Sequence, residues 1–398
     1  MADTHFDLIL IGATGFTGKR AAKYLKDNSP KSLTWGIAAR NSEKLLAVAE
    51  EVGLSPEQSF IVDTTNQEDV ENVVKQAKVI MTTVGPFSLY GEKVIAACAK
   101  FGSHYLDITG EVGFIKEMEA KYGDLARKNG ALIIPFSGFD SVPADIAAYL
   151  LASNFNSPEK LTIKAFYSIS GGFNGGTIAT MLNKFETGEY KKMGDPKLLL
   201  TEDDQNIHSP NDTHYFGYDK KIARWSSPFI MGAINSKVVY KSASIMRHYG
   251  KPYANSISYS EHSSLGKWYN PLPFIFVSII LISITLFGPQ KWFRLFLKMI
   301  MPKPGEGPSE EQIEKGYFIM NAFAQDHSGN KGQLKMSYPG DPGNKSTVFF
   351  LCETALCLLQ NKDRLGNKRG FMTPTSALQD HLVQHLIGKG LLVNHISS

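Results

Sequence analysis

Seven residues constrain this chain most: Gly12-Ala13-Thr14-Gly15-Phe16-Thr17-Gly18. They follow the apolar run Phe6-Asp7-Leu8-Ile9-Leu10-Ile11 and precede Lys19-Arg20-Ala21-Ala22-Lys23-Tyr24-Leu25. The run reads as a buried strand and the later segment as a helix. A tight turn between them needs a residue without a Cβ, which Gly12 supplies. Gly15 lets the backbone approach a pyrophosphate, and Gly18 lets the helix pack on the strand. Free N–H groups and the positive end of the helix then face the phosphates. The spacing is GxxGxxG rather than GxGxxG, and an ordinary strand-to-helix turn carries similar glycines. The surrounding pattern therefore has to decide.

That pattern alternates. A strand over 32–39 ends at Arg40-Asn41, and a helix capped by Asn41-Ser42 runs to about Val52. A third strand over 59–62 ends at Asp63, a helix follows over 67–76, and a fourth strand over 78–84 ends at Gly85-Pro86-Phe87. Strands alternating with helices predict a Rossmann-type, doubly wound parallel sheet of the α/β class. Ligands bind such sheets at the carboxyl ends of the strands. The expected cofactor-binding residues are Gly12, Thr14, Gly15, Phe16, Thr17, Gly18, Arg40, Asn41, Asp63, Val84, Gly85, Pro86 and Phe87. At the end of the second strand an acid would bind a ribose 2′-hydroxyl, whereas an arginine suits a 2′-phosphate. Arg40 has no acid beside it. That predicts NADP(H) over NAD(H); a solvent-facing arginine opening a helix is the competing reading.

A helix over 92–101, a strand over 103–106, a helix over 112–129 and a strand over 131–134 extend the alternation. The loop Phe136-Ser137-Gly138-Phe139-Asp140-Ser141-Val142-Pro143 lies past a strand end and suits substrate or nicotinamide contacts. Asp140 and Asp145 read equally as a helix cap and a first-turn residue. Tyr90, His104 and Asp140 are the candidates for proton donation or orientation, each with a structural role competing. No Tyr-x-x-x-Lys pair of the short-chain dehydrogenase kind follows the fifth strand.

A chain of 398 residues, 43% hydrophobic and 20% charged, suits two domains with a substantial core. A net charge of +4 makes no case for nucleic acid. Cys98, Cys352 and Cys357 form neither a disulfide framework nor a metal-ligand spacing, so no metal site and a reducing compartment are expected. No basic and apolar leader precedes the first strand, so no secretory signal is expected.

The second half opens with a strand over 161–167. Gly171-Gly172-Phe173-Asn174-Gly175-Gly176 precedes a helix over 177–182 and lacks the P-loop lysine, so a plain turn is expected rather than a phosphate cradle. Residues 185–225 read as polar surface loops over the active-site side. Residues 272–287 contain no charge, yet 16 residues fall below the roughly 17 that a bilayer span requires. Gly288-Pro289 breaks the run, and an aromatic, basic segment over 292–301 follows. With Lys291, Arg294 and Lys298 reaching toward anionic head groups, a helical hairpin or in-plane anchor is expected, suited to a lipid-droplet monolayer. A buried core or dimer-interface helix pair is the competing reading. A linker over 302–308, strands over 317–325 and 333–338 and a helix over 346–360 come next, with Cys352 and Cys357 as small apolar fillers. A last helix starts at Thr373-Pro374-Thr375 and reaches Leu386. The expected domains are 1–150, binding NADP, and 151–398, a second α/β (α+β) unit carrying a hydrophobic insertion over 268–303. Its C-terminal helices, 346–390, are expected to pack back on the first domain.

Further matches lie in Ala39-Arg40, Val84-Gly85-Pro86-Phe87, Tyr90-Gly91-Glu92, Cys98 and His104-Tyr105-Leu106-Asp107-Ile108-Thr109-Gly110-Glu111. They continue in Gly138 to Pro143, Gly175-Gly176-Thr177, Pro304 to Glu311 and Thr373-Pro374. On these and the glycine motif the chain resembles the saccharopine dehydrogenase-like oxidoreductases over nearly its whole length. That family includes an animal lipid-droplet protein and the mycobacterial trans-acting enoyl reductases. The resemblance implies a Rossmann domain, a nicotinamide cofactor and a second α/β domain. The expected function is an NADP(H)-dependent oxidoreductase that reduces a double bond or carbonyl of a lipid-like substrate. It would act at a membrane or lipid-droplet surface facing the cytosol, as a homodimer. The alternatives are a membrane-associated scaffold or cofactor-binding protein without turnover, and a soluble, cytoplasmic saccharopine or amino-acid dehydrogenase.

Overall fold

Two seven-stranded sheets divide the chain. The computed structural model describes residues 5–172, 174–209, 216–303 and 305–397. Phe173 of the glycine turn, Pro304 of the linker, residues 1–4 and residues 210–215 of the polar stretch lie outside the described residues. The strands are β1 (Phe6–Ile11), β2 (Trp35–Ala39), β3 (Ser59–Ile61), β4 (Ala77–Thr82), β5 (His104–Asp107) and β6 (Leu132–Ile134). There follow β7 (Lys160–Ser170), β8 (Gly217–Asp219), β9 (Arg224–Pro228), β10 (Ser256–Lys267), β11 (Tyr317–Asp326) and β12 (Lys331–Pro339). The last two are β13 (Gly370–Phe371) and β14 (Leu392–Ser397).

The first sheet runs β13-β6-β5-β4-β1-β2-β3, and every pair in it is parallel. A parallel sheet must bury both faces, and β1 does so by alternation. Leu8 and Leu10 join one core, while Ile9 and Ile11 join the other. Helices Gln67–Val74, Glu92–Phe101 and Val112–Asn129 cover the Ile9 face. Helices Phe16–Asn28 and Ser42–Val52 cover the Leu8 face together with Thr347–Asn361, which comes from far along the chain. That distant helix is buried without a break from Thr347 to Leu358, as a helix that is apolar all round must be. Its fully buried Glu353 accepts hydrogen bonds from the Tyr24 hydroxyl at 2.7 Å and His385 Nε2 at 2.6 Å. The carboxylate thereby ties the glycine-motif helix to the helix Asp380–Gly388.

The second sheet runs β14-β12-β11-β7-β10-β9-β8, and only β7 and β10 pair in parallel. Helices Val142–Ala152 and Gly232–His248 lie between it and the first sheet, in one continuous core.

Some sequence expectations shift. The terminal helix is two, Pro374–Leu378 and Asp380–Gly388, because Gln379 between them takes φ +52°. The stretch 185–225 is not all surface loop: Leu198, Leu199 and Leu200 are buried, three adjacent apolar side chains plugging the two main cores. The helix Gly232–His248 is the main element that patterning leaves unseen, since its buried positions include Asn235, Lys237, Lys241 and Ser242.

The uncharged segment forms the helix Leu272–Phe287, and Lys291–Ile300 forms the second arm of a hairpin. At 1.5 Å per residue the first arm is about 24 Å long, short of the ~30 Å hydrocarbon core. Among the described residues no helix is long and apolar enough to cross a membrane. Nor is the pair a buried core, for Leu272 is 70%, Phe276 67% and Met299 82% exposed. The basic residues do not all reach outward as expected. Arg294 turns back to donate to the carbonyls of Gly288 and Pro289, at 3.3 and 2.6 Å, where the first arm ends and its carbonyls need donors. Lys298 pairs with Glu186 at 2.9 Å.

Removing the Glu353 carboxylate leaves the Tyr24 hydroxyl and His385 without their acceptor inside the protein. Glu353→Ala should lower unfolding free energy by about 2–3 kcal/mol. Urea denaturation checks this, and an unchanged midpoint would show that water replaces the carboxylate.

Candidate functional site

The three motif glycines differ in what demands them. A Cβ on Gly12, at φ +92°, would fall 2.7 Å from Val84 Cγ2, and one on Gly18 would fall 2.0 Å from the Gly12 carbonyl oxygen. Both are required by packing. Gly15 has φ −76°, and its nearest neighbour would be 3.4 Å from a Cβ, so the protein itself tolerates a side chain there. Its bareness leaves exposed backbone for a ligand. The helix Phe16–Asn28 starts at Gly15 with no side-chain cap and no acid in its first turn. Thr14, Phe16 and Thr17 therefore present an N-terminus open to an anion, and a pyrophosphate fits. The Phe16 ring points elsewhere, packing on Gly307 and lying 3.8 Å beneath the Arg20 guanidinium.

Arg40 is exposed just past β2. Asp63, just beyond β3, accepts from Thr65 N at 2.9 Å and Thr65 Oγ1 at 2.8 Å. Those bonds hold its carboxyl below the usual range, with the Arg40 charge assisting. The Asn41 side chain is occupied as the cap of Ser42–Val52, accepting from Lys44 N at 2.8 Å. Beyond β4, Thr83 N donates to the Ile11 carbonyl at 3.1 Å, which keeps Val84 and Gly85 beside Gly12. The Gly85–Pro86 bond is cis, and Phe87 is buried. Glu111, fully buried, clamps this loop by accepting from Phe87 N at 2.7 Å and Ser88 N at 3.1 Å. Asp107 braces the next loop by accepting from Tyr105, Thr109 and Phe136 at 2.7–3.2 Å, while burial pushes its carboxyl up to about 7. These two acids hold the strand ends in place.

The proton-handling candidates separate. His104 opens β5, at the sheet edge away from the crevice. Its Nδ1 accepts from Leu132 N at 3.1 Å, and burial drags the imidazole down to about 4, so it is a neutral structural acceptor. Tyr90 ends the short helix Phe87–Tyr90, half-buried on the crevice side. Asp140 is half-buried in the loop after β6 and, among the described residues, receives no hydrogen bond. Burial pushes its carboxyl up to about 6 against the opposing charge of Lys184.

Two neighbours of Asp140 escape sequence reading. Lys184 is buried on the helix Gly175–Thr187 and donates to the Gly110 carbonyl at 2.8 Å. Burial pulls its ammonium below the usual lysine range, against the attraction of Glu189, Glu111 and Asp140. Glu261 of β10 is fully buried and accepts from Tyr259 at 2.7 Å, Tyr167 at 3.2 Å and Asn235 at 2.8 Å. Burial pushes it up to about 7, the Asp140 charge adding to the effect. Asp140 thus raises the affinity of Glu261 for a proton across the sheet boundary, and perturbed acids brought together in this way are a functional signal.

The helix Gly175–Thr187 bridges two regions. Positions 180, 183 and 184 share one face at 3.6 residues per turn, and 178, 181, 182 and 185 share the other. Asn183 donates to Ser88 Oγ at 3.2 Å, and Thr180 Oγ1 is 3.9 Å from where a Gly85 Cβ would stand. On the far face Ile178 and Leu182 are buried with Phe293 and Leu297 of the hairpin. The described residues of the glycine turn before this helix are held by local bonds. Asp341 accepts from Gly172 N, a Cβ on Gly171 would strike that carboxylate, and Asn174 caps the helix by accepting from Thr177 N at 3.0 Å.

Residues 8–134 match the family described as the saccharopine dehydrogenase NADP-binding domain. The cofactor of the crevice is accordingly NADP(H). A putative trans-acting enoyl reductase of Mycobacterium tuberculosis is 32% identical over 97% of this chain and 96% of its own. The trans-acting enoyl reductase of Mycobacterium ulcerans is 29% identical over 99% and 98%. Among solved structures, apo saccharopine dehydrogenase (L-Glu forming) of Saccharomyces cerevisiae shares the fold, with a TM-score of 0.58 at 10% identity over 98% of this chain and 100% of that one. The homospermidine synthase of Legionella pneumophila gives 0.55 at 11% identity over 99% and 91%. A glycine crevice matching the NADP-binding family and relatedness over nearly the full length lead to one conclusion: the chain belongs to the saccharopine dehydrogenase-like oxidoreductases, the family of the trans-acting enoyl reductases.

Proposed function

We propose that this oxidoreductase uses NADPH to reduce a double bond or carbonyl in a lipid-like, acyl-bearing molecule met at a lipid surface. The two-faced helix Gly175–Thr187 carries the reading. It roofs the crevice with Thr180, Asn183 and Lys184, and its other face seats a hairpin whose outer surface is exposed and apolar. Exposed apolar surface on this scale marks an interaction site. An apolar substrate drawn from a membrane leaflet or droplet monolayer would arrive beside the strand ends where the nicotinamide belongs.

When bound, NADPH supplies a hydride. Adding it to a carbonyl, or to the β-carbon of an enoyl group, leaves negative charge that a proton must meet. Asp140, raised toward neutrality and, among the described residues, free of hydrogen bonds, is the proton donor of this reading. The carboxylate left behind faces the Lys184 ammonium, which stabilises it. The names of the mycobacterial relatives support an enoyl substrate. Arg40 is the 2′-phosphate ligand, offering a planar fork at the end of β2.

Three outcomes test this. Gly15→Ala should raise the NADPH Kd with no change in urea midpoint, whereas Gly18→Ala should cost about 1–3 kcal/mol of stability or more. Equal losses of stability would mean that Gly15 serves packing alone. Arg40→Ala should weaken NADPH by about 1.5–3 kcal/mol, roughly 10–100-fold, and leave NADH unchanged in fluorescence titrations. Loss of both cofactors alike would remove Arg40 from the 2′-phosphate. With an α,β-unsaturated acyl thioester as substrate, kcat/KM should fall as pH rises past about 6, where Asp140 loses its proton. Asp140→Asn should cost about 10²–10⁴-fold and abolish that limb; a limb that survives the substitution places the proton donor elsewhere.

A further inference from the structure

We infer that lipid contact by the hairpin and NADPH binding in the crevice are thermodynamically coupled, each tightening the other by the same factor. This coupling rests on the lipid-surface reading above and adds to it how the surface governs the site.

Two physical connections run from the hairpin to the cofactor crevice. The first is the bridging helix. On the hairpin side Phe185 packs on Gly288, where a Cβ would come within 2.4 Å of its ring, and Glu186 pairs with Lys298 at 2.9 Å. On the crevice side the same helix bonds to Gly110 and Ser88, which follow β5 and β4. The second is the segment that leaves the hairpin. Its Gly307 lies against the Phe16 ring at the start of the glycine-motif helix, and its Glu306 carbonyl accepts from Gly175 N at 2.9 Å. The hairpin is thus linked, through this helix and through the segment that follows it, to the loops after β4 and β5 and to the start of the glycine-motif helix.

The seam has the properties of an element with two states. Its buried apolar cluster is small and separate from the two large cores, so local opening there costs less than opening either core. Both ligands favour the closed seam. A lipid surface lowers the dielectric around the half-exposed Glu186 and strengthens its pairs with Lys298 and with Arg294 at 3.8 Å. Thr180 and Lys184 face the strand ends, and NADPH held there would favour the same seating of the helix from the other side. Two ligands that bias one equilibrium in one direction must help each other, and the factor is reciprocal.

The experiment uses the full chain and phosphatidylcholine vesicles. NADPH Kd is measured by fluorescence with and without vesicles, and vesicle affinity by flotation with and without NADPH. Both ratios should agree at about fivefold or more. Glu186→Gln keeps the apolar seam and removes the charge pairs. It should bind vesicles and NADPH separately, while both ratios fall toward one. Vesicle binding with no change in NADPH Kd overturns the coupling and leaves the lipid-surface reading standing. Undiminished ratios in Glu186→Gln overturn the route through the ion pairs. No vesicle binding at all removes the lipid-surface reading and the coupling with it.

Discussion

The close approach of Gly18 to the Gly12 carbonyl sets the rest of the structure. With no Cβ on either residue, the first helix leaves β1 at once and lies flat on the sheet. Its N-terminus then points along the strand ends, and its other flank is free to receive a helix from more than three hundred residues later. Thr347–Asn361 fills that place and brings Glu353 against Tyr24. The glycine contact thus orients an uncapped helix N-terminus at the strand ends and allows the C-terminal region to complete the core behind it.

Buried carboxylates are numerous here, and burial alone does not separate their roles. Glu111, Asp107 and Glu353 are saturated by backbone or side-chain donors, and each holds two segments together. Asp145 does the same by accepting from Ser242 and from Thr375 N. Asp140 is different: partly buried, raised by that burial and, among the described residues, without a donor. A buried carboxylate left without donors is costly unless something else uses it. The contrast in satisfaction, rather than in pKa, singles it out.

The hairpin shows the same logic in apolar form. Its inner stripe is matched by Ile178 and Leu182, and Arg294 is drawn inward by carbonyls while Lys298 pairs with Glu186 at the surface and Lys291 stays exposed. What faces outward is mostly apolar, with Lys291 and Lys298 among it.

Local patterning carried the first domain. Alternating apolar strands, the glycine spacing and Arg40 are short-range signals, and the structure places Gly12, Arg40, Asp63 and Gly85 at neighbouring strand ends because a parallel sheet aligns them. The 16-residue uncharged run was legible as a helix too short to span a bilayer, since length and charge are written directly in the residues. Lys184 and Glu261 were not legible. Each sits in an ordinary local context, on an amphipathic helix and in a long strand, and becomes significant only where elements more than forty residues from Asp140 meet it. His104 was misleading for the converse reason: its sequence neighbours belong to a family motif, but the strand direction carries it to the far edge. Sequence by itself determined where the chain turns and what each strand end can bind, because those depend on covalent neighbours. Tertiary structure alone decided which carboxyl lacks a donor and which helix joins the greasy hairpin to the crevice, because both depend on contacts between distant segments.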